Sequence, residues 1–203
     1  LFIRFTPQMY IHLKALGCRL NEAELENWAS SFKSKGHCLV DQPDNADLIV
    51  INTCAVTNAA VKKSRHLIRR SQRQNPKAKL VVSGCYSSLT PEIQHEIPAI
   101  DLLIPNQNKD NLVNIVTDKL ALETMPSIAT QPGEAALFQH SRTRAFVKIQ
   151  DGCRYRCTFC IITVARGEER SRMVGDIISQ INTLSDLGFK EVVLTGVHVG
   201  GYG

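Results

Sequence analysis

The sequence lacks any long run of apolar residues, since no stretch approaches the roughly 20 residues that a membrane-spanning helix needs. Its N-terminus also lacks the succession of charged, apolar and small residues that marks a secretion signal. Hydrophobic residues make up 43% and charged residues 21% of the 203-residue chain, which excludes wholesale disorder and a fibrous repeat. We therefore expect a globular cytoplasmic protein, without membrane contact, that forms one large or two small domains.

Acidic residues are absent from the segment between Lys62 and Lys79, in which eight residues are basic. The net charge of the whole chain is only +5, which does not by itself indicate a nucleic-acid partner. Such a basic run is usually a solvated helix face, but it also meets the requirement for binding a phosphate backbone. Both interpretations stay open at this point.

Seven cysteines, an odd number, in a chain without a secretion signal indicate thiolate chemistry rather than a disulfide framework. Three of them, Cys153, Cys157 and Cys160, are spaced Cys-x3-Cys-x2-Cys. This set is one ligand short of a closed structural zinc site. Three thiolates suit an iron–sulfur cubane that keeps one iron open for a ligand. The alternatives are a chance run of cysteines and a zinc loop without its fourth ligand.

Apolar strands alternate with helical segments through the first half of the chain, which predicts a doubly wound parallel sheet. The predicted strands are residues 10–18, 38–40, 46–52, 79–83 and 102–104, and Asn21 with Glu24 approximates a capping box for the first helix. Helices are expected at about 58–74, from Pro91, and at 110–123. Because the carboxyl ends of parallel strands share one rim, we expect the cysteines that follow three of the strands to meet there as a second three-thiolate set: Cys18, Cys54 and Cys85. The alternative is three independent buried cysteines.

A segment rich in turn residues, 124–140, is predicted to link two domains at residues 9–123 and 141–203, after an irregular leader at 1–8. The second domain should begin with a strand at 144–150 that delivers the Cys153 loop. A helix at 176–187 and a strand at 190–195 follow, which is the opening unit of a parallel barrel. The chain is too short to close a barrel, so the last strand is expected to expose an apolar edge.

The two cysteine sets together resemble the radical S-adenosylmethionine (SAM) methylthiotransferase family, over nearly all of both domains. The motifs that carry the resemblance are Gly17–Asn21, Ile51–Thr57, Ser83–Cys85, Lys148–Cys160 and Ala165–Arg172. The segments 52–57 and 195–203 look most like the branch that methylthiolates N6-threonylcarbamoyladenosine at position 37 of tRNA. The resemblance implies an N-terminal methylthiotransferase domain followed by an incomplete partial TIM barrel. It also implies that the chain is a C-terminally truncated fragment of a longer enzyme.

The resemblance further implies two 4Fe-4S clusters. One is held by Cys153, Cys157 and Cys160, binds SAM and cleaves it to a carbon radical. The other, an auxiliary cluster that presents sulfur, is held by the first cysteine set. Further implied contacts are Phe159 with the adenine of SAM, Gly196 with its amino group, and three arginines with SAM or RNA phosphate: Arg166, Arg170 and Arg172. The implied partners are the anticodon region of tRNA and an electron donor such as flavodoxin or ferredoxin.

Three other functions stay open on the sequence alone. One is the related branch that methylthiolates an aspartate of a ribosomal protein. The second is a non-catalytic iron–sulfur module, and the third is a zinc-containing nucleic-acid-binding protein. The single residues also have alternative roles: Phe159 as a core residue, Gly196 as a turn glycine, and the three arginines as solvated surface residues.

Overall fold

The computed structural model describes residues 8–120 and 144–203, so the predicted leader (except Gln8) and the predicted linker at 124–140 lie outside the described residues. Five strands form one entirely parallel sheet in the order β2-β1-β3-β4-β5. They are β1 (Tyr10–Ala15), β2 (Cys38–Leu39), β3 (Leu48–Thr53), β4 (Lys79–Gly84) and β5 (Leu102–Ile104). The predicted parallel sheet is confirmed, with β5 at its edge.

Helices cover both faces of this sheet, as the doubly wound prediction requires. They are α1 (Arg19–Ser34), α2 (Asn58–Gln74), α3 (Cys85–Leu89), α4 (Ile93–Glu96) and α5 (Leu112–Lys119). Side chains alternate between the faces of a strand, so Leu48 packs with α1 and α5 while Ile49 packs with α2 and α4. In the part of the chain that the structure describes, no helix combines the length and apolar character needed to cross a membrane.

The predicted capping box at the start of α1 is wrong. Cys18 occupies the N-cap position and no side chain caps the helix. The Asn21 amide instead donates to the carbonyl oxygens of Leu16 (2.6 Å) and Thr53 (3.2 Å), and Glu24 is buried in the interior. Tertiary partners therefore outweigh the local capping pattern.

The C-terminal region, residues 144–203, contains the predicted strand–helix–strand unit. Strands β6 (Arg144–Lys148) and β9 (Glu191–Thr195) pair in parallel, and α7 (Val174–Asp186) lies between them in the chain. The predicted strand at 144–150 is too long, because β7 (Gln150–Asp151) leaves β6 and pairs antiparallel with β8 (Arg170–Ser171). The cysteine loop and α6 (Ile162–Arg166) lie between these two paired strands in the chain, so the pairing holds both ends of this segment together. Leu194 in β9 is 49% exposed, and the expected apolar edge stays a prediction.

The C-terminal region packs directly on the N-terminal region. Helix α1 contacts β6, and α3 contacts α6. Since α3 begins at Cys85 and α6 follows Cys160 closely, the packing brings elements from both cysteine sets to one interface.

Candidate functional site

The first cysteine set lies at the carboxyl rim of the sheet, on three neighbouring strands. Thr53 and Gly84 are partners in the β3–β4 register, so Cys54 and Cys85 directly follow paired residues on strands about 4.8 Å apart. Gly17 has a φ of 111°, and a Cβ there would lie 2.7 Å from the Cβ of Cys54. Only glycine allows this approach, which brings the Cys18 loop against Cys54. The predicted placement of all three cysteines at strand ends is therefore confirmed.

The rim is not a preformed site for a single ion. Within residues 8–120 and 144–203, no three His, Cys, Asp or Glu side chains lie at the spacing of one bound metal. All seven cysteines are free thiols. A four-iron cluster is several atoms across, so its thiolate ligands stand further apart than those around one ion. Cys18 is exposed at the rim, whereas Cys54 and Cys85 are buried, and three thiols without a fourth ligand are a donor set that suits such a cluster.

The surroundings of Cys85 combine burial with donors and positive charge. Burial raises the pKa of the Cys85 thiol, whereas the Arg166 guanidinium and the Asn106 amide oppose that rise. The amide nitrogen lies 3.7 Å from the Cys85 sulfur. These two groups favour the thiolate, which is the form that binds metal.

The second cysteine set lies on a loop shaped by backbone and hydroxyl hydrogen bonds. The Cys153 amide donates to the Gly167 carbonyl (3.1 Å), and the Cys160 amide donates to the Cys157 carbonyl (3.0 Å). The Thr163 hydroxyl lies 2.6 Å from the Tyr155 carbonyl oxygen, to which it donates. Thr163 thus fastens the turn that follows the third cysteine.

Phe159 lies on the open side of this loop. Its side chain is 92% exposed and lines an open concavity of about 580 Å³ together with Cys157 and Cys160. A core role for Phe159 is therefore excluded, and its ring is free to contact a ligand. Val164, 72% exposed, extends the apolar surface of the same concavity.

Gly196 lies directly after β9, where it packs on a buried glutamine that sequence analysis missed. A Cβ at Gly196 would lie 2.9 Å from Oε1 of Gln150. The Gln150 side chain donates to the Gly152 carbonyl (2.8 Å) and accepts from the His198 amide (2.9 Å). It therefore connects the start of the cysteine loop with the turn after β9. Its only signal in the sequence is an amide side chain directly before that loop.

The three arginines that follow the cysteine loop have different surroundings. Arg172 donates to the Lys148 carbonyl (2.8 Å) and to Gln180 (2.7 Å), so it braces the fold. Arg170 is 45% exposed and lies 3.7 Å from Asp151. Arg166 is only 2% exposed, and its contact with SAM or RNA phosphate stays a prediction. In this structure it bridges the two regions of the chain.

Five charged side chains form what we call the buried ion cluster: Glu24, Lys109, Lys148, Asp151 and Arg166. Lys109 bridges the two carboxylates at 2.5 Å and 3.0 Å, and Arg166 lies 3.0 Å from each of them. Burial alone would raise the pKa of both carboxyls, but Lys109 and Arg166 outweigh it and hold both pKa values below their usual range. The sequence signal was a glutamate on the buried face of α1, one turn before Trp28.

Comparison with known proteins identifies relatives over nearly the whole chain. Residues 10–105 match the model of the uncharacterized protein family UPF0004. The chain is 41% identical over 196 residues to the threonylcarbamoyladenosine tRNA methylthiotransferase MtaB of Bacillus subtilis, an alignment that covers 93% of this chain and 43% of the relative. The chain is therefore similar to a methylthiotransferase over nearly its whole length.

The chain is also 32% identical over 200 residues to the tRNA-2-methylthio-N(6)-dimethylallyladenosine synthase of Thermodesulfovibrio yellowstonii, an alignment that covers 95% of this chain and 46% of the relative. It thus spans less than half the length of either relative. Among solved structures, the radical S-adenosylmethionine methyltransferase TsrM from Kitasatospora setae, with tryptophan substrate and a SAM analog bound, matches with a TM-score of 0.61. That match covers 95% of this chain and 48% of TsrM at 13% identity, so it shows the fold alone.

Proposed function

We propose that this chain carries the two cluster sites of a radical SAM methylthiotransferase that converts N6-threonylcarbamoyladenosine in tRNA to its 2-methylthio derivative. One observation carries the proposal. Helix α3, which begins at the thiol of Cys85, packs on α6, which follows the Cys153–Cys160 loop. The two cysteine sets therefore border the same interface, as a reaction that uses both of them requires. The substrate named for the Bacillus subtilis relative supports the choice of nucleoside.

In this proposal each cysteine set holds one 4Fe-4S cluster, with Cys18, Cys54 and Cys85 at the rim and Cys153, Cys157 and Cys160 on the loop. The bound groups supply reductive cleavage of SAM and sulfur for transfer. The chain's own residues position the ligands. Phe159 offers an exposed ring beside the loop thiols for an adenine, and we assign the backbone of Gly196, which packs on Gln150 directly after β9, to the amino group of SAM.

The basic face of α2 supports an RNA partner. Six side chains in and just after this helix form no ion pair with any carboxylate of the described ranges: Lys62, Lys63, Arg69, Arg70, Arg73 and Lys77. Two further basic side chains form ion pairs with carboxylates: Arg65 lies 2.6 Å from Glu96, and Lys79 lies 2.9 Å from Asp101.

Helix α2 is also joined to the rim. The Ser64 hydroxyl donates to the Cys54 carbonyl (2.8 Å) and accepts from the Cys54 amide (3.2 Å). A phosphate backbone bound along α2 would therefore extend to the first cysteine set. We assign this face to tRNA, with the anticodon region nearest the rim. A flavodoxin or ferredoxin as electron donor and a cytoplasmic location complete the proposal.

Anaerobic reconstitution of the 203-residue chain, followed by iron, sulfide and zinc analysis, tests the proposal. Two 4Fe-4S clusters correspond to about eight irons per chain. We expect Cys157→Ala and Cys54→Ala each to lose about half of the iron, while Cys38→Ala, outside both sets, loses none. SAM should change the electron paramagnetic resonance signal of the reduced Cys54→Ala variant but not that of Cys157→Ala.

Three outcomes would contradict the proposal. Loss of all iron in both single variants would indicate one shared site. Zinc in place of iron would favour the zinc-protein alternative. Two clusters without any response to SAM would favour the non-catalytic module.

A further inference from the structure

Arg166, the last residue of α6, is the side chain through which the C-terminal region reaches the rim. Its guanidinium donates to Oδ1 of Asn21 at 2.7 Å, and the carbonyl of the preceding Ala165 accepts from the Asn106 amide, which lies 3.7 Å from the Cys85 sulfur. The same Asn21 oxygen lies 3.8 Å from the Cys18 sulfur. The end of α6 is therefore joined to two rim cysteines, each through a single asparagine.

The side chains of the buried ion cluster carry a net positive charge, which an additional anion would balance. Three of its members are cations and two are carboxylates, and all five side chains are 6% exposed or less. A sixth charge, Asp110, pairs with Lys148 at 2.7 Å, but its side chain is 68% exposed. One buried positive charge thus lacks a buried carboxylate. Of the three cations, Arg166 is the one that a hydrogen bond joins to a side chain next to a rim sulfur, since Asn21 lies between its guanidinium and Cys18.

A negatively charged group at the rim would balance this cation. Buried charges are stable only when they are paired and hydrogen-bonded. A cluster held by thiolates is such a group, and its potential depends on nearby charge and on hydrogen bonds to its sulfurs.

We propose that Arg166 is a positioning residue for the first cysteine set: its charge offsets that of the rim cluster, and its bond to Asn21 holds the Cys18 loop. The docked C-terminal region thereby completes the auxiliary site of the N-terminal region. This inference rests on the proposed function, in which the rim holds the auxiliary cluster. Because reduction adds negative charge next to the guanidinium, Arg166 makes the rim cluster easier to reduce.

The test uses the full chain with the loop cluster removed by Cys157→Ala, so that any remaining iron belongs to the rim. In that background, Arg166→Gln removes the charge, Arg166→Lys keeps it, and Arg170→Gln is the matched control at an exposed arginine. The measurements are the midpoint potential of the cluster and the rate at which a chelator removes its iron.

We expect Arg166→Gln to shift the potential to a more negative value and to release iron faster. A tenfold loss of preference for the reduced state corresponds to about 59 mV for one electron. Arg166→Lys should keep a potential close to that of the parent but release iron faster, because an ammonium lacks the planar fork that contacts Asn21 and both carboxylates together. Arg170→Gln should change neither quantity.

An unchanged potential in Arg166→Gln would overturn the inference. If Arg166→Gln holds no cluster, Arg166→Lys decides: retention at the parent potential supports the role of charge, and equal loss from both variants overturns it. If the Cys157→Ala parent itself holds no iron, the proposed function fails instead. The two failures are therefore distinguishable.

Discussion

Replacement of Glu24 by glutamine measures how strongly the buried ion cluster stabilises the protein. The change keeps the shape of the side chain but removes one of the cluster's two carboxylates. Lys109, fully buried and 2.5 Å from Glu24, then keeps only Asp151 at 3.0 Å as a counter-charge, and Arg166 loses a partner at 3.0 Å. Removing one partner of a buried pair costs about 3–5 kcal/mol, because the charge left behind stays desolvated.

That cost is large against a total stability of about 5–15 kcal/mol. At about 2–4 °C per kcal/mol for a chain of this size, Glu24→Gln should lower the melting temperature by about 6–20 °C. The assay is thermal and urea unfolding of the metal-free chain at pH 7, followed by circular dichroism. The control is Glu96→Gln, which removes an exposed pair with Arg65 and should cost about 0–1 kcal/mol. The reasoning is refuted if the two variants melt at the same temperature.

Three further predictions concern acid stability, the rim and the basic face. Since the pKa values of both carboxyls in the buried ion cluster are lowered, their contribution to stability is complete above about pH 5 and is lost as pH falls through the lowered values. Melting temperatures from pH 6 to pH 3 should therefore drop less steeply in Glu24→Gln than in the parent, and parallel curves would disprove this. Gly17→Ala should lose the rim cluster, because its Cβ would lie 2.7 Å from the Cβ of Cys54. The control Gly36→Ala is also at positive φ but has no atom within 4 Å, so it should keep its iron. Equal iron contents in the two variants would contradict the close contact between Gly17 and Cys54. Replacement of three exposed basic side chains of α2 by glutamine should weaken the salt dependence of tRNA binding; the three are Lys62, Arg69 and Arg73. The slope of log Kd against log salt concentration, measured by fluorescence anisotropy, should fall by about 2–3. An unchanged slope would exclude this face as the tRNA-binding surface.

The rim could be predicted from the sequence because it follows from topology. Alternation of strands and helices predicts a parallel sheet, and a parallel sheet brings the residues after its strands to one edge. Local signals were also sufficient for α2, whose observed bounds of Asn58–Gln74 match the prediction and whose cap is the Thr57 hydroxyl accepting from the Ala60 amide. In these segments, local preference and tertiary packing favour the same structure.

The buried ion cluster could not be predicted, because its partners are far apart in the chain. Asn21 and Glu24 match a local capping pattern, yet their side chains bond to Arg166, which lies 145 and 142 positions away. A charged residue is ordinarily assigned to the surface. Only the packing of α6 against the first region shows that this arginine is buried, and the spacing of residues around it carries no trace of that packing.

The ion pairs between the N-terminal and C-terminal regions fix the position of one cysteine set relative to the other. An apolar interface tolerates small sliding movements, since dispersion contacts are individually weak. Lys109 and Arg166 have to meet both Glu24 and Asp151, one carboxylate from each region, within 3.0 Å. A shifted docking would leave a buried charge unpaired at a cost of several kcal/mol. Because α3 starts at one cysteine set and α6 follows the other, the same constraint sets the distance between the two proposed cluster sites.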